Sequence, residues 1–444
     1  MCRYSALFKI LVLSAALFCC EARSVGLPSA ISDELNAMTP DVESFYVDLH
    51  RNPELAFNEH ATAAKLAERV KALGYEVTEG VGGTGIVAIL RNGTGPTVML
   101  RTEMDALPVQ EKTGLPFSST VVTKNTAGEA IPVMHACGHD IHMSAWVGTA
   151  KLMADNRALW HGTLMLVGQP AEEIVQGSAA MLKDGLFTRF PKPDYALSVH
   201  DESTLPSGQV GYHPAYFRAA ADTITITIFG QGGHGAAPHD TIDPIVIAAR
   251  VVMALQTVVS RENNPMDPVV ITVGSIHGGT QANIIPDQVK LQLTVRTFSE
   301  AVRNRTHAAI AREVRGEALA ANAPKEPLIE VHRGVDAVYN DPELTARMAN
   351  TLRIAMGPQN VVEMPAKMTS EDFANYGIAG VKAVLLHVGA VEPARLDAAR
   401  KSGVSLPGPH SPQWAPEYKP TIKAAITAET AILLDLLGKA PGSR

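Results

Sequence analysis

Four short polar clusters carry residue types that bind cations or move protons. The densest is His135-Ala136-Cys137-Gly138-His139-Asp140-Ile141-His142. Cys137 and His139 flank a glycine, which lets the backbone bend both donors toward one point. A thiolate with an imidazole suits zinc and similar borderline-soft ions; the plainer alternative is a buried cysteine beside surface histidines. A second cluster, Glu172-Glu173, follows an apolar run and Gln169-Pro170. Adjacent carboxylates at a strand end point in different directions. One could hold a metal while the other faces a bound water, the arrangement that metal-assisted amide hydrolysis needs. A solvated acidic pair is the competing reading. His200-Asp201 and Arg101-Thr102-Glu103-Met104-Asp105 each close a further apolar run. His410 stands in Pro409-His410-Ser411-Pro412, where a lone loop histidine is ordinarily just solvated. His234, Asn283 and Arg296 could supply donors to an oxyanion and a fork for a substrate carboxylate. Each is a weak signal alone, and Arg296 could instead pair with a neighbouring carboxylate.

These clusters need elements to aim them. Residues 40–75 read as two helical stretches around Asn52-Pro53. Gly85–Leu90 and Thr97–Leu100 are strand-like, and the glycine run from Gly80 to Gly85 reads as a turn, since no helix follows it as a nucleotide loop requires. A helix is expected from about Asp140 to Ala154, strands at Thr163–Gly168 and Tyr195–Val199, and a helical segment around Ala179–Leu186. This alternation predicts an α/β layer with a largely parallel sheet. In such sheets ligands bind beyond the carboxyl ends of the strands, where three of the clusters would converge. After Tyr216 the pattern changes. Asp222–Phe229 alternates Thr with Ile; Asp243-Pro244 caps a helix to about Arg261; strands Val269–Ile276 and Gln288–Phe298, a helix Glu300–Ala320 and a strand Leu328–His332 follow. The order β-α-β-β-α-β describes a ferredoxin-like domain. It is expected over residues 215–333, interrupting an α/β domain of residues 25–214 and 334–444.

A chain of 444 residues fits two domains. A net charge of -7 gives no reason to expect nucleic acid or an anionic membrane as partner. Arg3 and Lys9, the apolar run Ile10–Phe18 and Ala22-Arg23-Ser24 predict a signal peptide over residues 1–24, hence a periplasmic or secreted protein. That run is too short to span a bilayer, and no later stretch reads as a span. Cys19 and Cys20 follow Phe and Cys where a lipid-anchor site wants a small residue, so simple cleavage is the expectation. Cys2, Cys19 and Cys20 would leave with the leader. Cys137 would then be alone in an oxidising compartment, unable to form an intramolecular disulfide.

The segments MDALP (104–108), HACGHDIH (135–142), GQPAEE (168–173), GGHGAAPH (232–239), GGTQANIIPD (278–287), SEDF (370–373) and HSP (410–412) occur in one order over nearly the whole chain. Together they resemble the M20 family of metallopeptidases, in its branch of hippurate hydrolases and auxin-conjugate amidohydrolases. The resemblance implies two divalent metal ions, zinc or manganese foremost with cobalt or nickel as alternatives. It implies the ligands Cys137, His139, Glu173, His200 and His410, with Glu172 as general base and Asp105 supporting the metals. His234 would match a lid histidine that reaches the partner's site in dimeric relatives; Asn283 and Arg296 would match substrate-binding lid positions. The expected activity is metal-dependent hydrolysis of the linear amide of an N-acyl amino acid by a homodimer whose inserted domain is lid and dimerisation surface. Three departures leave the substrate open: Thr369-Ser370 before the Glu-Asp-Phe run, Ala282 in place of an aromatic residue, and the acidic His200-Asp201-Glu202. A dipeptidase or carboxypeptidase is the alternative within this chemistry; a non-catalytic metal- or solute-binding protein is the alternative of another class. A serine hydrolase is disfavoured, because no Gly-x-Ser-x-Gly elbow occurs.

Overall fold

In helix α1 (Ser29–Arg51), Ile31, Leu35, Met38, Val42, Phe45 and Leu49 are buried at alternating four- and three-residue spacing, the stripe of a helix with one apolar face. The computed structural model describes residues 26–125 and 127–438; the expected signal peptide, residues 1–24, lies outside the described residues. Helix α2 (His60–Ala72) follows the break at Asn52-Pro53. The Gly-rich run then forms the turn of a hairpin between β1 (Glu76–Val81) and β2 (Gly85–Asn92).

The chain continues through β3 (Thr97–Glu103), α3 (His139–Asp155), β4 (Gly162–Gln169), β5 (Tyr195–Pro206) and β6 (Val210–Tyr212). Next come β7 (Ala220–Phe229), α4 (Pro244–Thr257), β8 (Val269–His277), β9 (Gln288–Thr297), α5 (Glu300–Ala320) and β10 (Leu328–Arg333). It closes with α6 (Pro342–Met356), β11 (Val361–Glu363), β12 (Lys382–Val391) and α7 (Tyr418–Leu437). An eight-stranded sheet has the order β1-β2-β4-β3-β5-β12-β6-β11. Its central strands β4, β3, β5 and β12 run parallel. Strand β5 continues past the expected end at Val199, because β12 pairs with it through His387↔His200 and Val388↔Asp201. The polar residues 200–202 therefore stand within a strand.

Strands β7–β10 form a separate antiparallel sheet, ordered β8-β9-β7-β10. This is the ferredoxin-like order, and all of it lies between Ala220 and Arg333. Strand β9 alternates buried and exposed residues, as a half-covered strand does. The Asp243 carboxylate caps α4 by accepting from the Ile245 N–H at 2.8 Å, and the Ser299 hydroxyl caps α5. Helix α4 runs into a π turn, and Pro244–Glu262 together is long and apolar enough to cross a membrane by length and composition. By length and composition this corrects the expectation that no stretch beyond the leader reads as a span. One face of the helix packs on the insert's sheet through Ile247, Val251 and Leu255, while Val246 and Met253 are exposed.

Helices α1, α3 and α7 cover one face of the large sheet. Gly148 of α3 lies so close to α7 that a Cβ there would sit 2.5 Å from Ile426. Across this contact the buried Glu429 carboxyl accepts from the Thr149 hydroxyl at 2.6 Å. Burial raises that carboxyl to about 8. The folded chain thus keeps a proton that the unfolded chain releases above about pH 4.3, and stability falls as pH rises from there toward 8. Glu429→Gln keeps a polar partner for Thr149 without the ionisable group. Scanning calorimetry should find the variant equal to wild type near about pH 5 and roughly a few degrees more stable at about pH 8. A variant less stable than wild type at the higher pH would contradict this account.

Candidate metal centre

Strand β3 delivers Asp105, fully buried just past its end. The segment before α3 turns sharply at Gly138, whose φ is 75°. A Cβ there would lie 2.5 Å from the Asp201 carboxylate, so the bend between Cys137 and His139 requires glycine. His139 Nδ1 lies 2.7 Å from the Asp105 carbonyl oxygen. A carbonyl only accepts, so Nδ1 carries the proton and Nε2 keeps its lone pair free. His200 is set the same way, its Nδ1 2.7 Å from the Asp201 carbonyl. Its Nε2 is 3.5 Å from Cys137 Sγ. The Glu173 N–H donates to Asp105 at 2.9 Å, which fixes the glutamate pair after β4. His410 has φ 68°, rare for a residue with a side chain. Its N–H donates to the Ala136 carbonyl at 2.7 Å, tying the proline-flanked loop to the cysteine segment. Its Nε2 then reaches within 3.3 Å of Glu173.

The donor atoms fall into overlapping triads whose members lie within 4.8 Å of one another: Cys137, His139 and His200; Cys137, Glu173 and His410; His139, Glu172 and Glu173. His139 Nε2, Glu173 Oε1 and Asp105 Oδ1 are buried without a hydrogen-bond partner among the described residues. Orphaned lone pairs are costly in an interior. A divalent cation would satisfy them, and the mixed S, N and O donors suit a borderline-soft metal. Burial pushes the Cys137 thiol well above its usual range, so a thiolate there calls for a cation beside it. Burial likewise raises the Glu172 carboxyl, and the neighbouring Glu371 and Glu173 raise it further. Glu172 lines a cleft of about 610 Å³ that also reaches Cys137, Glu173, His200 and His410.

A layer of buried polar residues, which the sequence did not single out, supports these donors. The Asp201 N–H donates to His142 Nε2 at 2.8 Å, and His142 Nδ1 faces Glu103 at 3.1 Å. The Trp414 indole donates to the Asp201 carboxylate at 3.1 Å. Behind α3, His50 lies between Asp140 at 2.6 Å and Glu111 at 3.2 Å. Burial alone would push His50 down, but the two carboxylates carry it to about 9. Glu103, Asp140, His142 and Asp201 stand within the polar clusters of the sequence, whereas His50, Glu111 and Trp414 carry no such local signal.

The inserted domain contributes unevenly. Arg296 lines the cleft, and its guanidinium donates to the Ser370 hydroxyl. His234 is exposed, pairs with Ile284 in a short ladder, and accepts the Ala236 N–H at 3.0 Å. The Asn283 carbonyl accepts from the Gly235 N–H at 2.8 Å. Neither His234 nor Asn283 lines the cleft of its own chain. Arg218, Lys367 and Glu202 do line it, and neither Arg218 nor Lys367 stands in any motif of the sequence.

The profile of "Peptidase family M20/M25/M40" matches residues 99–399. The thermostable carboxypeptidase 2 of Saccharolobus solfataricus is 36% identical over 74% of this chain and 80% of its own. The hippurate hydrolase of Campylobacter jejuni is 34% identical over 77% and 86%. The crystal structure of Bacillus subtilis YXEP protein, described as a dinuclear metal binding peptidase from the M20 family, superposes with a TM-score of 0.73. It is 26% identical, covering 90% of this chain and 98% of that one.

Cys137 provides a direct readout of the donor cluster. It is the one free cysteine among the described residues, and it is buried. A thiol-alkylating reagent should label chelator-stripped protein at least about tenfold faster than protein reloaded with a divalent cation, since coordination holds the thiolate. Equal rates in both forms would show that no cation sits on Cys137.

Proposed function

The chain belongs to peptidase family M20/M25/M40, and from that membership we propose that this hydrolase of amide bonds acts on N-acyl amino acids. Cys137, His139, Glu173, His200 and His410 would hold two divalent cations, zinc or manganese. When bound, these cations lower the pKa of a water and polarise the scissile carbonyl. Asp105 orients His139 and Glu173. Glu172 takes the proton of the attacking water and passes it to the leaving amine nitrogen, a task suited to a carboxyl whose affinity for protons is raised by burial. Arg296 meets the carboxylate of the amino acid. The observation that carries the reading is the convergence of Glu172 with the donor cluster in one cleft. The identity with a protein named as a carboxypeptidase keeps a peptidase activity as the second reading. The leader-like residues 1–24 and the single cysteine beyond them support export to the periplasm or the medium.

Hydrolysis of N-acyl amino acids should exceed that of dipeptides with metal-restored protein and vanish after metal removal. Glu172→Gln should retain metal and lose roughly 100-fold or more in kcat, whereas Glu173→Gln should lose metal as well. Near-normal turnover by the Glu172 variant would remove it as the base.

We also propose that the protein is a homodimer in which His234 and Asn283 serve the partner's site. The insert leaves β8 as a sheet edge and Val246 and Met253 of α4 exposed, features suited to a two-fold contact. His234 does not line the metal-binding cleft of its own chain, and its imidazole could donate to a developing oxyanion across the interface. His234→Ala and Glu172→Gln, each inactive alone, should regain a fraction of wild-type activity when their subunits exchange. Confirmed exchange without regained activity would exclude action across the interface.

A further inference from the structure

Among the described residues, buried arginines are paired with carboxylates, except in the cleft. Arg101 meets Glu103, Glu371 and Asp372; Arg303 meets Asp222 and Asp336. Arg218 is 7% exposed, and Arg296 is half-buried beside it along the cleft wall. Neither forms an ion pair with a carboxylate among the described residues. Arg218 donates to the Thr369 hydroxyl and Arg296 to the hydroxyl of Ser370, so two like charges are anchored to consecutive residues. Arg218 Nη2 also donates to His387 Nε2 at 2.8 Å. Arginine cannot accept, so His387 is neutral and carries its proton on Nδ1, 3.0 Å from Glu202. The Arg218 Nε–H is buried and has no acceptor among the described residues. Lys367, next on the same wall, pairs with Glu202. This wall thus holds three cationic side chains against one carboxylate, and Glu202 also accepts from the N–H and hydroxyl of Thr204. The other acidic residues lining the cleft are committed elsewhere: Glu172 and Glu173 belong to the metal-binding cluster, and Asp201 lies against His142 and His200 and accepts from the Trp414 indole.

Two guanidiniums withdrawn from water without a counter-charge repel each other and lose hydration, an arrangement that an anion would relieve. Burial lowers the pKa of Arg296, as it does where no close carboxylate compensates. We propose that the cleft selects a substrate with two carboxylates: one on Arg296, the other on Arg218 and Lys367. The inference rests on the amide-hydrolase reading and names the substrate class within it, an N-acyl amino acid with a second carboxylate on either its side chain or its acyl group. Arg218 offers a buried, unused N–H, and charge-assisted bonds to such donors discriminate strongly against a neutral isostere.

Two substrate pairs test this with metal-loaded enzyme. N-acetylglutamate against N-acetylglutamine places the charge on the side chain; N-succinyl-leucine against N-butanoyl-leucine places it on the acyl group. At least one acid should exceed its neutral partner in kcat/KM by roughly tenfold or more, and the pair that does so locates the second carboxylate. Arg218→Gln and Lys367→Gln should each shrink that ratio, chiefly through KM. Lys367 is included because it is partly exposed, so its replacement does not risk the fold as that of Arg218 does. Neutral partners cleaved as well as the acids, or ratios unchanged in both variants, would overturn the inference and leave the amide-hydrolase reading standing. Failure to cleave any of the four would remove both.

Discussion

The site depends on one buried guanidinium. Arg101, on β3, has no exposed surface on its side chain. It binds Glu103 from its own strand and, at 2.9 Å each, Glu371 and Asp372 from a segment 270 residues away. Its Nε–H donates to Gln169 at the end of β4, 3.0 Å away. Two chains of contacts leave this hub. Glu103 leads through His142 and Asp201 to His200; Glu371 leads to Glu172, whose affinity for protons it raises. A group of carboxylates this dense would not stay together in an interior without an equally buried cation. Desolvation makes such an assembly expensive, so its reason is positional: it holds the ends of β3, β4 and the 371–372 turn in one arrangement.

The donors inherit that rigidity. Parallel strands place their carboxyl ends on one edge of the sheet, and Asp105, Glu172 and Glu173 issue from such ends. His139 adds the first residue of α3, and His200 stands on a strand that β12 prolongs. Backbone carbonyls accept from Nδ1–H of both histidines and so turn each Nε2 toward the cluster. His410 comes from a loop far along the chain, and its backbone holds that position with a left-handed φ.

Much of this was legible in the sequence. The Cys-Gly-His bend, the glutamate pair after an apolar run and the interruption by a β-α-β-β-α-β unit all rest on local chemistry or local periodicity. The extension of β5 through His200-Asp201-Glu202 was hidden, because its strand character comes from pairing with β12, nearly two hundred residues on. Arg218 and Lys367 were hidden for a related reason: nothing in Ala215–Arg218 or in Met364–Met368 distinguishes a cleft-lining cation from a surface one. The acidic pair Asp201-Glu202 and the hydroxyl pair Thr369-Ser370 were noticed as departures, yet their meaning required their partners. Asp201 supports His142 and Trp414; Glu202 meets Lys367; Thr369 and Ser370 receive the two arginines.

The bond between Arg296 and Ser370 joins the two sheets functionally as well as in space. Arg296 lies on β9 of the insert, while Ser370 precedes Glu371 and Asp372, the residues held by Arg101. The insert's charge is therefore fastened, through one hydroxyl, to the segment that anchors the catalytic side. Arg218 stands at the same junction, two residues before β7 begins, with Thr369 as its partner. An anion engaging both guanidiniums contacts one group carried by the insert and one at its root, so its binding energy also bears on how the insert sits over the cleft. Electrostatics at this wall and the placement of the inserted domain are one problem, because the same consecutive hydroxyls serve both.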